Sequence, residues 1–483
     1  MKFYVIAVSI LLMMVAHAHE LSVINKDGLV ELDCIRPTLK NNLSDVKVYC
    51  LNDDDIAIIE QENKQGLMDK NGRLISAIIY DDIFFLGDGV AKVKQDDKFG
   101  LLDIKTGKEL TPIYFDDMAL LHQNRIAVKS NKNWGYIDKK GRLVIALKYG
   151  SAFGFENGLA KVHNHGSLLD DTLKVGLVDL SGKEIFTPTY QSIHVMDDKV
   201  LFNTSSNLDG VADLNGNIII EPEYVNISGF HDGYARFSML NHELYGYLDE
   251  TGQEVIEPQY QYAQHPHLLG DKMIFVVGKN INNNIHWGAV DKHNNTIIDF
   301  NYRKLSPQFG ENIIIATNHQ GKKLLLNYYG EPITTDVYDN IIGFSHGVSE
   351  YINNGKIGLI NAQGIEITPT IYDGIKHEYN HDNKIFYGYG VRQGNKNGFL
   401  NPEGKQVLPI IYDEISNFHN GNLYLKQGNH YGIANILTGS IIVSPSYDDF
   451  RPLANGYTKA KQHNTWYLIS PQGKNLGKTS APK

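Results

Sequence analysis

The sequence predicts an all-β protein, an array of about twelve three-stranded antiparallel units, and three observations carry that expectation. A short pattern recurs along the chain: h-A-x-V, then aromatic-Gly-h-h-Asp, x-x-Gly-Lys, h-h-x-Pro and x-Tyr-Asp. Strand and turn formers are abundant, with 28 Tyr and 45 Gly among 483 residues. The copies also follow one another at a nearly constant spacing, the signature of a repeat architecture. An array accounts for the length as well, because each unit packs only on its neighbours and no single core has to grow.

The elements follow in chain order. Residues 1–18 have the form of a secretory signal peptide: Lys2, an uncharged apolar run from Phe3 to Val15, and Ala16-His17-Ala18 at the cleavage site. That run is too short for an ordinary transmembrane helix and no other long apolar run follows, so no transmembrane segment is expected after cleavage. The expected location is periplasmic or secreted. Residues 19–54 do not fit the repeat and are expected to cap the first unit's open edge. The chain's two cysteines, Cys34 and Cys50, fall here, 16 residues apart. An oxidising compartment would let them pair, at a gain of roughly 3 kcal/mol. A free reactive thiol is the alternative, with no Cys-His constellation beside it.

The array spans 55–474. Its first glycine recurs at Gly66, Gly100, Gly135, Gly176, Gly210, Gly246, Gly288, Gly358, Gly398 and Gly432, with Leu324 and Tyr467 at the other two positions. A turn glycine follows, from Gly72 to Gly473, and Asn294 replaces it once, as a left-handed backbone position allows. Eight residues later stands an aromatic, for example Tyr80, Phe115 and Tyr149. All three tryptophans, Trp134, Trp287 and Trp466, precede the first-glycine position. The copy Trp134-Gly135-Tyr136-Ile137-Asp138-Lys139-Lys140-Gly141 and the stretch Phe155-Glu156-Asn157-Gly158-Leu159-Ala160-Lys161-Val162 resemble the WG-repeat (KWG) family, and the resemblance runs over roughly 55–475. It implies a repeat class and carries no chemistry to these positions. Gly100, Trp134, Gly135, Asp138, Gly141, Trp287, Gly288 and Trp466 are therefore structural residues of the repeat.

Within one unit, Val90–Lys94, Phe99–Asp103 and Glu109–Thr111 form a meander whose Asp-x-x-Gly turn is closed by the Asp side chain and a glycine. The recurrent Tyr is expected to pack between units, contributing about 2 kcal/mol each. Every third gap between first-glycine positions is long, at 41, 42 and 40 residues against 34–36 elsewhere. The extra residues are placed between the first two strands, at Asn164–Lys174, Lys279–His286 and around Tyr387–Asn397. A period of three suits an open β-superhelix, which is favoured over two closed β-propellers because no linker divides the array. Residues 475–483 are expected to be a disordered tail.

Chemistry is sparse. No nucleophile elbow, zinc-protease helix, phosphate loop or dinucleotide fingerprint is present, so no catalytic, cofactor or metal residue is assigned. His163 and His165 with Asp170 and Asp171, then His265 with His267, then His377 with His381, could each bind a metal, but solvated loops explain them as well. Asp53-Asp54-Asp55 lacks the glycine and glutamate of a calcium loop. Asp69, Asp103, Asp138, Asp179, Asp213, Asp249 and Asp291 recur at the turns and are expected to build them. Net charge is -10 with no basic cluster, which excludes nucleic acid as the expected partner. These features point to an exported binding scaffold for a protein partner more than to an enzyme. The alternative is a polysaccharide-binding protein or glycan-acting enzyme. The long hairpins are the expected contact face.

Overall fold

A computed structural model describes residues 21–26, 28–39, 45–169, 171–239, 244–308, 310–379, 385–418, 421–453 and 456–482. Residues 1–18, read from sequence as a signal peptide, and Asp170 and His381 lie outside the described residues. Those described contain β-strands and no α-helix. After an N-terminal hairpin, Leu21–Lys26 with Leu29–Cys34, twelve small antiparallel modules follow, two of them fused into one seven-stranded sheet. The chain divides into two compact bodies. One holds 31–184 with the residues before 27, and the other holds 185–483 with 27–30.

The third module shows the build. Asp117–His122, Arg125–Ser130, Asn133–Asp138 and Leu143–Tyr149 lie side by side in that order. The expected three-stranded unit is thus corrected to four strands, with an outer strand preceding the other three. The recurrent Tyr-Asp pair is the crossover from one sheet into the next sheet's outer strand. That strand escapes the sequence pattern because it is short and half-exposed and carries neither of the repeat's glycines. In the first, second and eighth modules the last strand shrinks instead to isolated bridges, such as Gln65↔Tyr80 and Leu102↔Glu109.

Alternation along the central strands makes the stack. Leu101 and Leu102 are adjacent and both fully buried, on opposite faces. Leu102 packs with Ile56, Leu67 and Tyr80 of the first module. Leu101 packs with Phe115 of its own module and with Met118 and Val128 of the third. In the second body, Ile313, Leu325 and Tyr338 meet Ile341, Tyr351 and Ile360 in the same way. The repeat tyrosines Tyr80, Tyr149, Tyr260, Tyr338, Tyr372 and Tyr412 are buried at such junctions.

Two glycines show why the pattern needs them. A Cβ on Gly135 would lie 2.5 Å from the Ile145 carbonyl oxygen, where the register between the two strands shifts. Gly141 closes the following turn at φ +79°.

The ends differ from the sequence expectation in one respect. At the N-terminus, Lys47–Val48 pairs with Ile56–Gln61 as the first module's outer strand, and Cys34 is disulfide-bonded to Cys50, with Cα atoms 5.7 Å apart. At the C-terminus, the stretch expected to be disordered holds a strand, Asn475–Lys478, paired with Thr465–Ile469. The main-chain ladder with Thr465–Ile469 orders it as the last module's fourth strand.

Candidate binding site

The repeated carboxylates are consumed by turns. Asp138 Oδ1 accepts from the Lys140 and Arg142 backbone N–H groups at 2.9 and 3.0 Å, and Gly141 N–H donates back to the Asp138 carbonyl at 2.9 Å. Burial opposes ionisation of Asp138, but the backbone and side-chain bonds from Arg142 outweigh it and hold the carboxyl below its usual range. Asp69, Asp179, Asp213, Asp249 and Asp291 bond in the same way. Asn327, Asn361 and Asn401 do so in later modules, and Asn435 accepts from Leu437 and Thr438 N–H instead. The sequence reading missed the asparagines because it sought carboxylates, although their place three or four residues before the turn glycine was visible.

A second recurrent carboxylate, in the Tyr-Asp pair, joins the tips of successive hairpins. Asp81 accepts from Lys64 Nζ at 2.5 Å in one module and from Asp96 N–H at 2.9 Å in the next. Asp116 pairs with Lys98 and accepts from Asn131 N–H at 2.8 Å. Asp373 and Asp413 repeat this clamp with Lys356 and Lys396, at 2.5 and 2.6 Å.

The clamp stops where the first long hairpin begins. Gly150 holds the Asp position, and its N–H still donates to His163 O at 2.9 Å. A Cβ there would lie 2.0 Å from the Asn164 carbonyl oxygen. In place of a two-residue turn, residues 164–174 form a built loop. Asn164 Oδ1 accepts from Gly166 N–H at 3.0 Å and Lys174 N–H at 2.9 Å, and Ser167 Oγ accepts from Leu169 N–H at 3.1 Å. Its tip holds Leu168 and Leu169, which are 83% and 99% exposed. The apolar tip was present in the sequence, but a loop pattern does not say which side chains turn outward.

The other two insertions differ. Around Lys279–His286 the strands simply lengthen and stay paired to a turn at Asn282-Asn283. The third is corrected in place. Phe386–Gln393 and Lys396–Leu400 join through an ordinary tight turn, so the extra residues precede Phe386, at the opposite end of the strand. A gap length fixes how many residues are added, not which of two loops takes them.

The histidine candidates are scattered. His163 is half-buried against Phe153, ring centroids 5.0 Å apart, and burial lowers its pKa. His265 stacks on His231 at 4.4 Å. His267 is buried, and desolvation brings its pKa down to about 4. Among the described residues no three His, Cys, Asp or Glu side chains converge as a metal site. Asp54 borders a shallow groove of about 520 Å³ with Asp88, Asp103, Lys105, Lys139 and Lys140. Its charges meet across it, Lys139 with Asp88 at 3.4 Å and Lys105 with Asp54 at 3.8 Å. Trp134, Trp287 and Trp466 are half-buried repeat residues, and Gly100 and Gly288 sit at close approaches of neighbouring chain.

An array of clamped, Gly-punctuated antiparallel sheets defines a β-repeat protein. The WG containing repeat matches at residues 66–99, 134–166, 210–241, 245–267, 398–430 and 431–466, so the array carries WG repeats. No curated protein matches it. Solved structures similar to it include a eukaryotic initiation factor, at 8% identity over 63% of this chain and 90% of that one, with a TM-score of 0.29. BamB from Moraxella catarrhalis is 11% identical over 66% of this chain and 96% of that one, TM-score 0.21. The extracellular domain of a hybrid two-component system from B. thetaiotaomicron is 10% identical over 93% and 74%, TM-score 0.20. No helix of the described residues is long and apolar enough to cross a membrane.

Proposed function

We propose that this protein is an exported, non-enzymatic scaffold that captures a protein partner through the loop 164–174. The observation that carries this reading is the Leu168-Leu169 tip, held out by a hydrogen-bonded loop. Isolated exposed leucines are ordinary, but two adjacent ones on a braced support are a contact surface awaiting cover. Burying both in a partner would contribute about 4 kcal/mol. The sequence places Asp170 and Asp171 directly after them, so an anionic membrane surface is disfavoured. The matching partner is a protein with an apolar pocket edged by Lys or Arg.

Export rests on the sequence of residues 1–18, and the Cys34–Cys50 disulfide supports an oxidising compartment, periplasmic or extracellular. The test uses the full mature chain with a photo-crosslinker at Leu169, in the cells that make it. One discrete adduct is expected. Purified wild-type protein should compete it away, and a Leu168→Ser, Leu169→Ser variant of unchanged melting temperature should not. Equal competition by the variant, or crosslinking to lipid alone, would defeat the reading.

A further inference from the structure

At one junction a pair of histidines stands where the clamp would be. The clamp's lysine lies two places before the first-glycine position, as in Lys64, Lys356 and Lys396, and its carboxylate follows the repeat aromatic, as in Asp81, Asp373 and Asp413. Between the seventh and eighth modules the same two places hold His286 and Arg303. Arg303 N–H still donates to Thr317 O at 2.8 Å, but its side chain brings no carboxylate to bridge the tips. The tip of the eighth module closes on itself instead. Asn318 Oδ1 accepts from the Gln320 and Lys322 N–H groups, both at 3.0 Å, and His319 beside it is exposed.

His286 meets that tip from the seventh module. The two rings have centroids 4.6 Å apart and planes tilted by 47°. His286 Nδ1 lies 3.1 Å from the Phe300 carbonyl oxygen, which can only accept. In the neutral ring Nδ1 therefore carries the proton and Nε2 keeps its lone pair. His286 is half-buried, so solvent reaches both side chains.

We infer that His286 and His319 form a two-histidine clip for a divalent transition-metal ion, joining two hairpin tips where the lysine–carboxylate clamp is missing. The spacing fits, since two imidazoles bound through nitrogen at about 2 Å and roughly at right angles around one ion have centroids about 4.5 Å apart. The tautomer fits as well, because a carbonyl on the far nitrogen orients a ligating ring and makes it more basic. Imidazole nitrogens select copper, nickel or zinc over magnesium and calcium, which prefer oxygen. The described histidines paired with carboxylates are His377 and His430, and neither belongs to this pair. Two protein nitrogens leave the remaining positions to water, in keeping with the lack of any three-side-chain metal group among the described residues.

The other stacked pair is less suited. His265 lies 4.4 Å from His231, but its Nδ1 is enclosed. Burial, then the charges of His231 and Arg236, lowers the pKa of His265, and a metal ion there would meet the same guanidinium. Lys279, opposite His286 on the paired strand, rests its ammonium on the rings of Phe300 and Tyr260, at 4.3 and 5.3 Å from their centroids.

The test reads copper at Trp287, the residue beside His286. In the untagged mature chain, Trp134→Phe with Trp466→Phe leaves Trp287 as the one indole. Titration with copper(II) chloride is expected to quench its fluorescence to saturation, and excess magnesium should not reverse the quenching. His286→Gln and His319→Gln should each weaken the response at least about 10-fold, at unchanged melting temperature without metal. His231→Gln should leave it as it was. Quenching that never saturates, reversal by magnesium, an undiminished response in His319→Gln, or a loss in His231→Gln would overturn the proposal.

Discussion

The junctions at Asp116 and Gly150 occupy the same place in successive repeats and do opposite things. Both donate a backbone N–H to the tip of the next hairpin, to Lys129 O at 2.8 Å and His163 O at 2.9 Å. At Asp116 the side chain then ties Lys98 to Asn131 and the tip closes in two residues. At Gly150 the side chain is gone, and an eleven-residue loop rises from the space it would fill. The third long gap sharpens the point. Its extra residues lie at the other end of the strand, and there the clamp survives, with Asp373 accepting from Gly394 N–H at 2.7 Å. Where the hairpin itself is lengthened, Gln261 stands in the clamp position. Absence of the carboxylate clamp thus accompanies a lengthened hairpin, opened into a loop at 164–174 and still paired to a two-residue turn at Asn282-Asn283.

The largest expected effect comes from forcing a clamp residue onto the loop junction. Gly150→Asp places a Cβ 2.0 Å from a backbone carbonyl, which cannot rotate away. Destabilisation of more than about 3 kcal/mol is expected, read by denaturant unfolding. Replacing 164–174 by Asn-Gly in the same chain should restore most of it. Equal destabilisation with and without the loop would show that Gly150 answers some other constraint.

Acid separates a buried histidine from the clamp carboxylates next. Past Gln261 the chain carries His267, which pairs with Ile274 at the end of the strand away from the hairpin tip. His267 titrates near 4 because of desolvation, below its ordinary 6.5. Between those values the unfolded chain binds the proton and the folded chain does not. Stability present above pH 6.5 is therefore lost as pH falls toward 4, by up to about 3 kcal/mol. The Asp116 carboxyl is also lowered, first by its bond to Lys98, so its contribution is retained through most of that window and is lost only as pH falls through the ordinary carboxylate range and below. Unfolding midpoints of wild type and His267→Phe, compared from pH 7 to 4, should converge as pH falls. Parallel profiles would remove His267 as the source.

What could be read in advance follows from what side chains declare. Gly135, Asp138 and Gly141 announce a turn and a close approach because few residues can replace them, and repetition fixes the module length. The outer strand had no such signature, since Asp117–His122 is specified by pairing with Arg125–Ser130 and by burial of alternate residues. The insertion before Phe386 was misassigned for the same reason. Leu168 and Leu169 were visible as residues but not as an exposed tip, which depends on the Asn164 and Ser167 bonds. The rings around Phe386 bring together His346, His377 and Tyr389 from two modules, and no short window of sequence contains them.

The smallest effect tests the clamp itself. Asp116→Asn keeps the size and the acceptor for Asn131 N–H but removes the charge facing Lys98. Solvent screens this exposed pair, so a drop in melting temperature on the order of 1 °C is expected, shrinking further at 1 M salt. Hydrogen exchange gives the finer reading. If the clamp holds hairpin tips closed, the Asn131 amide should exchange faster in Asp116→Ala than in Asp116→Asn, because only alanine removes its acceptor. Identical rates would mean that the type of turn, through the positive φ of Asn131 and Lys132, closes the tip unaided. The glycine at 150 would then matter only for the room it leaves.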